Sequence, residues 1–180
     1  MNTLQIVLTS SLISGTVSAI ISYFVNLRMK KLDYKNEYYK ILIKKRLDAY
    51  QFVENQTAVL RNIAFDEDDN HAYHLMFAYG EDKCIEFQQN IMIANSKGLW
   101  IDEATSKTLD EFNHLFYSIN NKIHNKSKEE IEKIGKDYYK QISNLRVKLE
   151  NNLRKGFNDL HNVETIFTTQ ENKTKYLKIE

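Results

Sequence analysis

The sequence predicts an all-α protein, with one N-terminal transmembrane helix followed by a cytosolic antiparallel bundle of about four helices. Three observations carry that prediction. The 180 residues include no proline and only five glycines, too few turn-formers for a β architecture. Met1 to Leu27 contains no Asp, Glu, Lys or Arg. Beyond it, apolar residues recur at spacings of three and four, the signature of one-sided helices. The expected division is an anchor over 1–27, a bundle over 28–162 with a basic start over 28–46, and a polar tail over 163–180.

Leu4 to Leu27 is an uncharged run of 24 residues. At about 1.5 Å per residue such a helix spans roughly 36 Å, more than the ~30 Å hydrocarbon core of a bilayer. Met1-Asn2-Thr3 supplies no basic n-region, so a retained anchor is expected over a cleaved signal peptide. Arg28, Lys30 and Lys31 come directly after the run and place the N-terminus outside and the remainder in the cytoplasm, a single-pass arrangement in a bacterial inner membrane. The lone cysteine, Cys84, suits that reducing compartment. Ser11, Ser14, Gly15, Ser18 and Ser22 share one arc of the anchor, opposite Ile6, Ile13, Ile20 and Phe24. Ser11, Gly15 and Ala19 also form a small-xxx-small series, which lets helix backbones approach closely in lipid. Either this stripe packs identical helices together, or in a ring of subunits it faces a water-filled path. Both readings predict a homo-oligomer.

Between Arg28 and Arg46, eight basic residues face only Asp33 and Glu37, an electrostatic footing for an anionic leaflet. The first bundle helix is expected to run on to Ala64, with Tyr39, Leu42, Ala49, Val53, Leu60 and Ile63 on its seam. Arg46 and Gln56 fall on that seam too, either as interface devices that set register or as ligand contacts. The acidic stretch Asp66-Glu67-Asp68-Asp69 reads as a solvated turn, with Asp69 or Asn70 capping the next helix. That second helix is predicted from about His71 to Ala94, broken or bent at Gly80. Gly98 closes it at the C′ position. A third helix is expected from Asp102 to His124. Ser127 and Glu130 form a capping box that opens a fourth, running towards His161.

The near-neutral balance of 25 basic and 24 acidic residues excludes a wholly basic nucleic-acid coat, and no DNA partner is expected. Phosphate-binding glycine loops, nucleophile elbows and kinase or deaminase patterns are missing, so no enzyme, catalytic residue, metal or resident cofactor is predicted. His71 and His74, spaced for one helix face, lack a third ligand. Two aromatic–basic groups are the candidate ligand contacts. Lys97 and Trp100 flank one turn, where an indole can stack on a base while an amine holds phosphate. Arg61, Tyr73, His74 and Tyr79 surround another turn. Arg154 and His161, separated by six residues, look like the Arg-x(4–6)-His motif of HEPN ribonucleases. That resemblance implies phosphate stabilisation by the arginine and acid–base work by the histidine.

The span Leu4 to Leu27, the juncture YKNEYYKILIKKRLDAY over Tyr34 to Tyr50 and the helical cytosolic part together resemble the small membrane effectors of type III CRISPR defence. That resemblance implies an oligomer, such as a tetramer, whose cytosolic domains bind cyclic tetra-adenylate and thereby perturb the lipid bilayer in antiphage defence. The competing reading is a membrane-tethered helical interaction module with no nucleotide ligand.

Overall fold

The computed structural model describes residues 3–66 and 71–160, with side chains from Ile13 onward within the first helix. Its elements are α1 (Thr3–Arg61), β1 (Ile63–Phe65), β2 (Ala72–His74), a 3-10 helix (Leu75–Tyr79), α2 (Glu81–Ser96), α3 (Glu103–Ile123) and α4 (Lys128–Asn158). The chain divides into two compact units, Met1–Leu42 and Ile43–Glu180. Helix α1 contributes residues to both.

In the first unit, every side chain of α1 from Ile13 to Tyr38 stands exposed. Ile13 is 62% and Phe24 64% accessible. Ring-on-ring contact between neighbours Tyr23 and Phe24, 5.9 Å apart, and Lys35 over Tyr39 at 5.5 Å are local to the helix.

The second unit is an antiparallel helical bundle, and its hydrogen bonds show the direction of each neighbour. As α2 advances, its partners retreat along the chain: Glu81 meets His124, Gln88 meets Asn120 and Asn113, and Asn95 meets Asp110 and Ser106. Helices α3 and α4 run the same way, through Lys122 with Tyr138, Glu111 with Lys148 and Thr108 with Asn152. So do α1 and α4, through Arg61 with Glu150 and Arg46 with the carbonyls of Asp159 and Leu160. The expected bundle of about four helices is therefore present in this unit.

Local chemistry sets the helix ends. Asp102 accepts from the Thr105 amide at 2.9 Å and caps α3. Ser127 and Glu130 close the predicted capping box, each side chain accepting from the other's amide, at 3.3 and 3.0 Å. Between 62 and 80 the prediction needs correction. A helix from His71 does not form; β1 and β2 make a two-stranded antiparallel ribbon in which Phe65 pairs with Ala72 and Ile63 with His74. The 3-10 helix comes next, and α2 begins only after Gly80, whose φ of 88° is open to glycine and costly to other residues. Helix α1 stops at Arg61, three residues short of Ala64. The reason is that Ala64 pairs with Tyr73 across the ribbon, and tertiary pairing overrides a short apolar period. Residues Glu67 to Asn70, including the expected caps Asp69 and Asn70, lie outside the described residues, as do His161 and the tail. Gly98 does occupy C′, behind the C-cap Lys97, without adopting a left-handed φ.

The core joins Tyr50, Val53 and Leu60 of α1 to Phe77, Phe87, Phe112, Phe116, Ile119, Ile142 and Leu149, all 3% exposed or less. Two glycines of α4 admit aromatic rings at close range. A Cβ on Gly135 would lie 2.7 Å from the Phe77 ring, and one on Gly156 would collide with Tyr50. Small residues at those points let α4 approach large side chains without a void.

Candidate functional site

The predicted contacts occupy two places in the second unit, and only one keeps its groups together. The Arg61, Tyr73, His74 and Tyr79 group is split among different partners. Arg61 donates from Nε to the Glu150 carboxylate at 2.9 Å, so its charge is already met. Tyr73 and His74 end β2 and are buried. The His74 ring lies 5.1 Å from that of Tyr139, and its Nε2 is 3.3 Å from Ser143 Oγ. Burial, reinforced by the nearby Arg146 charge, pushes His74 down to about 4. A neutral imidazole in the core is no phosphate cation. Tyr79 is exposed and lines a separate cavity. The dispersal comes from the ribbon: residues 72–79 alternate and turn as strand and 3-10 helix instead of presenting one helical face.

The Lys97 and Trp100 group is coherent. The turn between α2 and α3 rests on α1, where Lys45 and Phe52 are seven residues apart and so share a face over two turns. Lys45 Nζ lies 5.2 Å from the Trp100 ring centroid, and Lys97 Nζ lies 5.3 Å from that of Phe52. Both are cation–π distances. Trp100 is half-buried while Lys45 is exposed, so the pair leaves an ammonium group and part of an indole open to solvent. Lys45 belongs to the basic stretch legible in the sequence. Phe52 was missed, and its i+7 relation to Lys45 is the signal that points to it.

Beneath this surface a polar web fixes the turn. Tyr50 donates to the Asp102 carboxylate at 3.0 Å and accepts from the Asp102 amide at 3.0 Å. Burial and the Asp102 charge push the Tyr50 hydroxyl up to about 12, so it stays a protonated donor. Arg46 is 3% exposed and donates to Asp159 O at 3.0 Å and Leu160 O at 2.7 Å. It satisfies the carbonyls of the α4 C-cap, Asp159, and of Leu160 just beyond it. The polar seam residue expected at an interface or ligand thus serves inside the fold. Gln56 donates to Phe52 O at 3.4 Å and is buried at the same seam.

Along the stretch expected to be an anchor, Ser14, Gly15, Ser18 and Ser22 are exposed, and nothing comes within 4 Å of a Cβ built on Gly15. The Ser11 side chain lies outside the described residues. Among the described residues no helix is long and apolar enough to cross a membrane. Side chains of the leading part of Leu4 to Leu27 fall outside that statement, and the part within it is diluted by Ser14, Gly15, Thr16, Ser18 and Ser22. His71 and His74 lose their expected helical spacing, since β2 carries His74. Among the described residues no group of three or more His, Cys, Asp or Glu is placed to hold a metal. Arg154 is exposed on α4, whereas its sequence partner His161 lies outside the described residues. Cys84 is buried, and burial raises its thiol to about 12, far from the reactive thiolate range.

No family model, curated protein or solved structure matches this chain.

Proposed function

We propose that the protein is a single-pass, membrane-anchored helical effector, N-terminus outside, whose cytoplasmic bundle binds a cyclic oligoadenylate and alters the membrane part of a homo-oligomer. The observation that supports it best is the exposure of apolar side chains along one broad side of α1 from Ile13 to Leu27. Ile13, Ile20, Ile21, Phe24 and Val25 are each more than half accessible. So broad an exposed apolar face is stable against lipid or inside a helical assembly, and costly in water. Basic residues from Arg28 onward suit an anionic leaflet at its foot. The exposed stripe of Ser14, Gly15, Ser18 and Ser22 offers the close contact an oligomer needs. Lys45, Lys97 and Trp100 supply charge for phosphate and a face for a base.

Binding moves such an assembly only if the ligand prefers one packing of subunits to another. The test has two arms on the full chain. Alkaline carbonate extraction should leave it in the membrane pellet, and recovery in the supernatant sinks the anchor. Calorimetry in detergent should show cyclic tetra-adenylate binding that Trp100→Ala and Lys45→Ala each weaken about tenfold, in line with the 1–3 kcal/mol of one stacked base. Absence of heat with the anchor intact points instead to a tethered interaction module.

A further inference from the structure

A second site lies away from the Trp100 surface and stands independently of the membrane reading. A cavity of about 240 Å³ opens between α1, the 3-10 helix and α2. Its floor is buried: Gln56, Met76 and Phe87. Its rim is exposed: Tyr79, Lys83 and Glu86. The cavity is too small for most drug-sized ligands, which need about 300–1,000 Å³, and suits one or two fused rings.

Three features define what fits. Aromatic and thioether walls from Phe87, Tyr79 and Met76 favour a flat π-system. Gln56 is only 6% exposed, and its Oε1 has no hydrogen-bond partner. Nε2 donates to Phe52 O at 3.4 Å, a long bond that leaves the amide free to turn, and Oε1, closed to solvent as it stands, is an acceptor that such a turn brings to a donor in the cavity. At the rim, Lys83 donates to Glu86 at 2.6 Å, and the two charges cancel. A phosphate or carboxylate ligand meets no excess of positive charge there.

We infer that this cavity binds a small uncharged heteroaromatic ring bearing an N–H, which donates to Gln56. The donor relieves a buried unpaired carbonyl, while the ring replaces water against apolar walls. Discrimination then rests on the amide, because an acceptor left unpaired penalises rings that lack the hydrogen.

Ligand-observed NMR on the full chain in detergent micelles tests this with indole, adenine and naphthalene as probes. Indole and adenine should bind. Gln56→Met, close in volume but without the acceptor, should weaken both about tenfold and leave naphthalene unchanged or tighter. Val59→Trp, at a cavity position that is 40% exposed and so tolerant of bulk, should abolish all three. Circular dichroism confirms that each variant stays folded. The assignment is overturned if neither indole nor adenine binds at millimolar concentration, or if Gln56→Met leaves their affinities intact. Loss of all three probes on Gln56→Met, with the fold retained, also overturns it, since the amide would then shape the cavity and not select the ring.

Discussion

The two stretches of α1 are similar helix with opposite fates. Ile13, Ile20 and Phe24 in the first unit are 56–64% exposed, whereas Ala49, Tyr50, Val53 and Leu60 in the second are 1% exposed or less. Composition does not explain the contrast, since both stretches are rich in large apolar residues. What differs is partnership. In the second unit α4 supplies Gly156 under Tyr50, the turn that follows α4 supplies carbonyls for Arg46, and the α2–α3 turn supplies Asp102. Burial is thus a property of the neighbours a helix finds, and under the proposed function the exposed apolar face of the first unit finds lipid or another copy.

The sharpest way to break this comparison is paired truncation. Phe77→Ala should cost the second unit about 3–5 kcal/mol, the usual penalty for emptying a fully buried aromatic site. Phe24→Ala should leave that transition unchanged. Urea unfolding followed by the single tryptophan, Trp100, reads the second unit directly. An equal loss from Phe24→Ala would show that the first unit stabilises the second.

Acid supplies the next test. The folded protein holds His74 at about 4 and the unfolded chain near 6.5, so below 6.5 the unfolded state takes up a proton that the core refuses. Stability present above pH 6.5 is lost as pH falls towards 4, by about 3 kcal/mol for this group. His74→Gln should flatten the slope of unfolding free energy across that window. An unchanged slope would mean the imidazole is charged in the folded state.

A smaller effect separates the two glycines. Gly156→Ala should destabilise by about 1–3 kcal/mol, because the new methyl meets the Tyr50 ring. Gly15→Ala meets nothing and should cost no stability. In the membrane it should instead weaken self-association, measured by crosslinking, if the small-residue face is the packing surface.

How much of this was legible depends on range. The capping box that opens α4 was readable because Ser127 and Glu130 act on amides three residues away, whereas Asp102 was read as the start of a helix and not as its cap. The bundle was readable from the period of Leu109, Phe112, Phe116 and Ile119. The ribbon escaped, because Ile63–Phe65 and Ala72–His74 are too short for a period and are made strands by pairing with each other. The candidate site was half legible. Lys97 and Trp100 announced themselves by residue type, but Phe52 became part of the site only when α1 met the turn.

By itself the sequence determined the charge-free beginning, the basic stretch after it, the helical class and the Ser127–Glu130 capping box, since each depends on residues adjacent in the chain or one to two turns apart. Tertiary structure alone decided that Arg46 closes the end of α4, that His74 is a neutral core residue and that Gln56 keeps an unmatched oxygen. Those outcomes depend on groups brought together from far along the chain, and the energy of a buried polar atom is set by whichever partner arrives.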